Sequence, residues 1–119
     1  WPLHCIAEEP GAEYHANLDA SLIDIHIKKG QGQHGYSIFE GVTDSGEKLQ
    51  DLIQRLGITE VDVVGIATDY CVRASALDAN NSGLEVRVIT SLTAGVSAAS
   101  TEAAIDELVD AGVRVAATA

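Results

Sequence analysis

The feature that most constrains the fold is a regular alternation of strand-like and helix-like patterns. Four β-branched runs stand at residues 22–29, 61–66, 84–89 and 113–116, with stretches of helical spacing between them. In the first run Ile23, Ile25 and Ile27 alternate with polar residues, the pattern of a half-buried strand. A helix is predicted over 46–56, with Leu49, Leu52, Ile53 and Leu56 on one stripe. Asp44 and Glu47 are spaced as a capping box at its start, and Gly57 is its stop. A second helix is predicted over 69–82, closed by Gly83, and a third over 103–111, capped by Ser100 or Thr101 and closed by Gly112. Strands linked through helices demand right-handed βαβ crossovers. Residues 1–119 therefore read as one α/β domain: a parallel sheet with helices on both faces, in three α-β-α layers. Residues 1–20 and the Gly-rich stretch 30–45 read as loop.

Composition narrows the class. Hydrophobic residues make up 46% of the 119, too many for a disordered chain. No apolar run reaches the roughly 20 residues of a membrane helix. Eighteen acidic residues against seven basic ones give a net charge of −11, a surface that repels phosphate backbones and argues against nucleic acid as a partner. Cys5 and Cys71 are far apart in a chain without a visible secretion signal, and read as free thiols in a reducing, cytoplasmic compartment, with a single disulfide between them as the alternative. The chain contains no methionine and opens on Trp1, so the natural N-terminus is expected to lie upstream.

Cys71 is placed where chemistry is favoured. It falls just beyond the predicted strand 61–66, in the first turn of the predicted helix that follows. Ligands bind beyond the carboxyl ends of strands in open parallel sheets. Unpaired N–H groups and the helix dipole favour an anion there, which lowers a thiol's pKa and offers donors to an oxyanion. Position alone leaves two readings open, a nucleophile or a small buried apolar residue. A nucleophile needs a proton-moving partner. Strand parity puts Lys29 on the isoleucine face of its run, at the carboxyl end, and Lys28 on the other face. The alternative for Lys29 is a lysine snorkelling to the surface.

Other motifs compete. Gly30-Gln31-Gly32-Gln33-His34-Gly35 spells a dinucleotide-binding fingerprint, but no helix pattern opens after it and no acidic residue ends a following strand, so that reading is set aside. His15, His26 and His34 share no ligand spacing and read as structural or surface groups. Cys5 reads as a packed core thiol.

The stretch Gly65-Ile66-Ala67-Thr68-Asp69-Tyr70-Cys71-Val72-Arg73 resembles the nucleophile motif of nicotinamidases, within the isochorismatase-like cysteine hydrolase superfamily. Trp1-Pro2-Leu3-His4-Cys5 resembles their W-P-x-H-C segment, and Pro10-Gly11-Ala12-Glu13-Tyr14-His15 their P-G-A-[DE]-[FL]-H. Lys29-Gly30, Tyr36-Ser37-x-Phe39 and Leu92-Thr93-Ala94-Gly95-Val96-Ser97 also fit, so the resemblance runs over essentially the whole chain. It implies that Cys71 attacks the carboxamide carbon of nicotinamide, giving nicotinic acid and ammonia through a thioester. It implies that Lys29 supports the thiolate and the proton transfers. The N–H groups of Ala67 and Cys71 would form the oxyanion hole, with a cis peptide between Ile66 and Ala67. Trp1 and Tyr70 would line the ring pocket with Tyr36 near it, although some members carry histidine in place of Tyr70. His4 would be one ligand of a divalent metal ion, zinc, iron or manganese.

The family pattern also contains an aspartate at the end of a first strand, and an aspartate and two histidines of the metal site, all preceding W-P-x-H-C. These lie outside the present sequence, so the chain by itself is expected to be inactive and poorly folded, with two unpaired strand edges. Two alternatives stay open: another amide or carbamoyl hydrolase of the superfamily, and a non-catalytic relative. A homo-oligomer is left open as well.

Overall fold

The computed structural model describes residues 1–32 and 35–119. Three strands form a parallel sheet: β1 (Glu60–Ile66), β2 (Glu85–Ala94) and β3 (Arg114–Ala116), in the order β1-β2-β3. Three α-helices alternate with them, α1 (Leu49–Leu56), α2 (Arg73–Asn81) and α3 (Ala98–Ala111). Short 3₁₀ turns at Pro10–Ala12, Ala20–Leu22 and Ile38–Glu40 punctuate the irregular N-terminal third. The α/β class and the parallel sheet are those expected from the alternation of patterns.

Helices and sheet meet in one apolar cluster. Ile53 of α1, Val72, Ala76 and Ala79 around α2, Leu84, Val86 and Val88 around β2, Leu108 of α3 and Val113 are all buried there. Val61 and Val63 of β1 pack against it, whereas Val64 and Ile66, of opposite parity, are 49% and 76% exposed. The glycine stops work as expected. Gly57 and Gly112 end α1 and α3 with φ of 65° and 98°, a region that costs glycine nothing.

Four expectations are corrected. The run 22–29 is not a strand. Ile23 is extended, but the only pairing of the segment among the described residues is one antiparallel bridge, in which the Lys28 and Val42 backbones exchange hydrogen bonds of 3.0 and 3.1 Å. Alternating isoleucines make a strand only where a neighbouring strand takes up their N–H and C=O groups. β1 pairs with β2 alone among the described residues. Helix α1 starts at Leu49, later than the proposed capping box. The Glu47 carboxylate grips Arg55 at 2.8 and 2.9 Å, and its N–H donates to Thr43 Oγ1. Helix α3 starts at Ala98, a turn earlier than expected, because Ser97 is its cap and accepts from the Ser100 N–H at 3.2 Å. Strand β2 runs on to Ala94. Between the pairs Val63↔Val88 and Gly65↔Thr93, β1 advances two residues and β2 five, a bulge that brings Thr93 to the end of β1.

Candidate active site

Near its end strand β1 passes through Gly65, whose φ of 114° only glycine adopts freely, and stays paired to Ile66. The Ile66–Ala67 peptide is cis, as the resemblance implied. The chain then enters a π-helical turn, Thr68–Val72, that precedes α2. Cys71 therefore sits in a wide turn and not in the ordinary α-helical first turn that was expected. The Ala67 carbonyl accepts from both the Tyr70 and the Val72 N–H, at 3.1 and 3.0 Å.

Side chains fasten this turn on several sides. Thr68, 1% exposed, donates to Thr93 Oγ1 at 2.8 Å, and the Thr93 hydroxyl in turn donates to the Thr90 carbonyl. Asp69 is buried, and its carboxylate accepts from the Val96 N–H at 3.0 Å, the Ser97 N–H at 3.4 Å and the Ser100 hydroxyl at 2.5 Å. Burial pushes the Asp69 carboxyl up, but the bonds from Ser100, Val96 and Ser97 outweigh it and leave the group below the usual carboxylate range. Val72 is anchored in the core. Within the turn only Tyr70 and Cys71 remain partly accessible, and Cys71 carries a free thiol.

Lys29 and Cys71 line one cavity of about 420 Å³. Its other walls are mostly apolar and include Ile38, Phe39, Ile53, Val63, Ile66 and Val72. The Lys29 ammonium donates to the Gly35 carbonyl at 3.4 Å, while Lys28 points outward, 3.9 Å from Asp44. The segment 36–40 is held in place by buried Ser75, whose hydroxyl accepts from the Ile38 N–H at 2.9 Å. Lys29 thus lines the cavity and Lys28 faces outward, although the strand assumed for this segment does not form.

Trp1, Tyr36 and Tyr70 come together. The Trp1 indole donates to the Tyr36 hydroxyl at 2.7 Å and meets Tyr70 edge-on at 4.9 Å between ring centres, and Tyr36 lies 5.3 Å from Tyr70. The cluster flanks the thiol through Tyr70, the residue before Cys71.

The remaining candidates fare differently. His4 is exposed, and among the described residues no three His, Cys, Asp or Glu side chains converge on a point that could hold a metal. One exposed imidazole does not make a metal site, so the residues present do not fit the ion on their own. Cys5 is exposed, with φ of 49°, and is not the core thiol that was expected. The segment around it, Trp1–Glu9, is exposed throughout among the described residues, which by themselves form no core around it. His15 accepts from the Asn17 N–H, and His26 pairs with the Tyr14 hydroxyl at 2.7 Å, both local roles. His34, and with it part of the glycine-rich fingerprint, lies outside the described residues. Sequence reasoning missed the roles of Asp69 and Ser75, and read Ser100 only as a candidate helix cap. Asp69 stood inside the quoted motif, but nothing in its spacing announced partners 27 to 31 residues away.

The site thus combines a cysteine just beyond the end of a parallel strand with a lysine that lines the same cavity, on a fold of the α/β class. The isochorismatase domain family matches residues 1–119, and the chain belongs to it. It is 49% identical over 115 residues to the nicotinamidase/pyrazinamidase of Mycobacterium tuberculosis, covering 97% of this chain and 62% of that protein. It is 37% identical over 103 residues to the nicotinamidase of Escherichia coli, covering 82% and 47%. Among solved structures, PnC1 from L. infantum in complex with nicotinate superposes with a TM-score of 0.86 at 39% identity, covering 97% of this chain and 59% of that one. The pyrazinamidase of Pyrococcus horikoshii in complex with zinc gives 0.79 at 35%, covering 97% and 62%. The chain thus spans roughly half to two thirds of the length of these relatives.

Proposed function

We propose that the protein is a nicotinamide amidohydrolase, and the observation that carries this reading is the shared cavity of Cys71 and Lys29 at the end of β1. The Cys71 thiolate attacks the carboxamide carbon and the carbonyl oxygen becomes an oxyanion, met by the Ala67 and Cys71 N–H groups. The C–N bond breaks, nitrogen leaves as ammonia after gaining a proton, and a thioester remains on Cys71. Water then attacks the thioester, releasing nicotinic acid and restoring the thiol. Lys29, which lines the same cavity, takes part in the proton transfers. Trp1, Tyr36 and Tyr70 offer aromatic faces and edges to a pyridine ring. This favours a ring amide over a linear carbamoyl substrate. A divalent metal belongs to the reading through the zinc complex of a relative, and His4 is the residue of this chain that would donate to it; no step is assigned to the ion. The reaction belongs to the whole protein, and the present residues by themselves are expected to be inactive.

The test is ammonia and nicotinate release from nicotinamide by the protein as its gene encodes it. Cys71→Ala abolishes turnover, and Lys29→Met lowers kcat by about 10²–10⁴, the usual worth of a proton-transfer group. Turnover that survives Cys71→Ala would sink the reading.

A further inference from the structure

We infer that Asp69 is a positioning residue, whose carboxylate ties the turn carrying Cys71 to the start of α3 and so fixes where the thiol points. Besides its own backbone N–H, the carboxylate takes three donors from one short stretch, Val96, Ser97 and Ser100, between the end of β2 and the first turn of α3. Oδ1 takes the Val96 N–H, and Oδ2 takes the Ser97 N–H and the Ser100 hydroxyl. Both oxygens are thus committed to that side, which argues against Asp69 as a proton shuttle for the thiol. Nor does it replace a missing cap, because α3 has its own in Ser97.

The other end of the turn is tied to the same helix. Arg73, two residues after Cys71, makes a bidentate pair with Glu107 of α3 at 2.6 and 2.8 Å. Thr68, at the start of the turn, is tied to Thr93 near the end of β2. Residues 68, 69, 72 and 73 are therefore each fixed to a different partner, and Cys71 is held between them. A reacting atom displaced by 1 Å can lose about 10²-fold in rate, so a clamp of this kind bears on turnover without touching substrate.

The catalytic consequence rests on the amidase reading, so the experiment carries a readout that does not. Asp69→Asn and Ser100→Ala are made in the protein as encoded. Alkylation of Cys71 by iodoacetamide is measured against exposed Cys5 by peptide mass spectrometry, beside kcat, KM and Tm. In Asp69→Asn the Cys71/Cys5 ratio is expected to fall about tenfold, and kcat about 10²-fold with KM within twofold, as expected for a displaced reacting atom. Ser100→Ala moves both the same way by less, and it decides the matter if Asp69→Asn does not fold. An unchanged or raised ratio, whether or not Tm drops, overturns the inference. A lowered ratio in a protein that never hydrolyses nicotinamide upholds the clamp and rejects the amidase; hydrolysis with an unchanged ratio does the reverse.

Discussion

Replacing Gly95 by alanine tests how closely the loop after β2 must approach α3. A Cβ on Gly95 would overlap Thr101 Oγ1 and stand 3.0 Å from its Cβ and 3.2 Å from its Cγ2. Comfortable contact needs about 3.5–4.0 Å, so either the threonine side chain rotates or the loop and helix separate. Rotation alone is insufficient, because the threonine Cβ is fixed to the helix backbone and is already too close. Overpacking of this kind costs about 1–3 kcal/mol. At about 3–4 °C per kcal/mol for a domain of this size, Gly95→Ala should lower Tm by about 3–12 °C. Thr101→Ala should by itself be mild, since its hydroxyl is buried without a hydrogen-bond partner among the described residues. In the Thr101→Ala background, Gly95→Ala should lose a substantial part of its cost, a coupling of about 1 kcal/mol in the double-mutant cycle. The assay is thermal or urea unfolding of the four proteins. An equal cost for Gly95→Ala in both backgrounds would refute the argument that Thr101 is what the missing side chain makes room for.

Ser75→Ala should cost about 1–3 kcal/mol, because it leaves the Ile38 N–H without its acceptor in a part-buried place, and urea unfolding will show whether it does. Acid should destabilise the fold. Glu47, Asp62 and Glu107 are held below the ordinary carboxylate range first by hydrogen bonds from Arg55, Arg87 and Arg73. At Asp69 burial raises the pKa, but the bonds of Ser100, Val96 and Ser97 prevail and lower it. Groups with depressed folded-state pKa values stabilise above their unfolded pKa and lose that contribution as pH falls through the folded one. Tm should therefore stay level from pH 7 to about 5 and fall below about 4.5, and a level Tm down to pH 3 would contradict the assignment.

The fold was legible where pattern is local. Val61-Asp62-Val63-Val64-Gly65-Ile66 alternates and is β-branched, and β1 forms there. Gly57 and Gly112 stop α1 and α3 as read, because a left-handed terminal residue is a property of one position. The failures are non-local. The isoleucines of 22–27 satisfy the strand pattern, yet no ladder forms, since pairing depends on what lies alongside. The first turn of α3, Ala98-Ala99-Ser100-Thr101, consists of small residues with no apolar stripe, so its start was placed too late. The site divides in the same way. Cys71 stood out through a strand end followed by a helix, and Lys29 through parity. Asp69 did not, because its meaning lies in donors from a segment nearly thirty residues on.

By itself the sequence determined the α/β class, the strand-end place of the thiol and the motif that marks the family. These follow from periodicity, from backbone freedom at single glycines and from residue order, all of which act within a few positions. Only the tertiary structure decided that the turn is π-helical, that Lys29 and Cys71 share one cavity, that Trp1, Tyr36 and Tyr70 meet, and that Asp69 is spent on the start of α3. Those are contacts between segments far apart in the chain. Which partner a polar group takes is settled when the whole chain packs, because every buried donor and acceptor must then be satisfied at once.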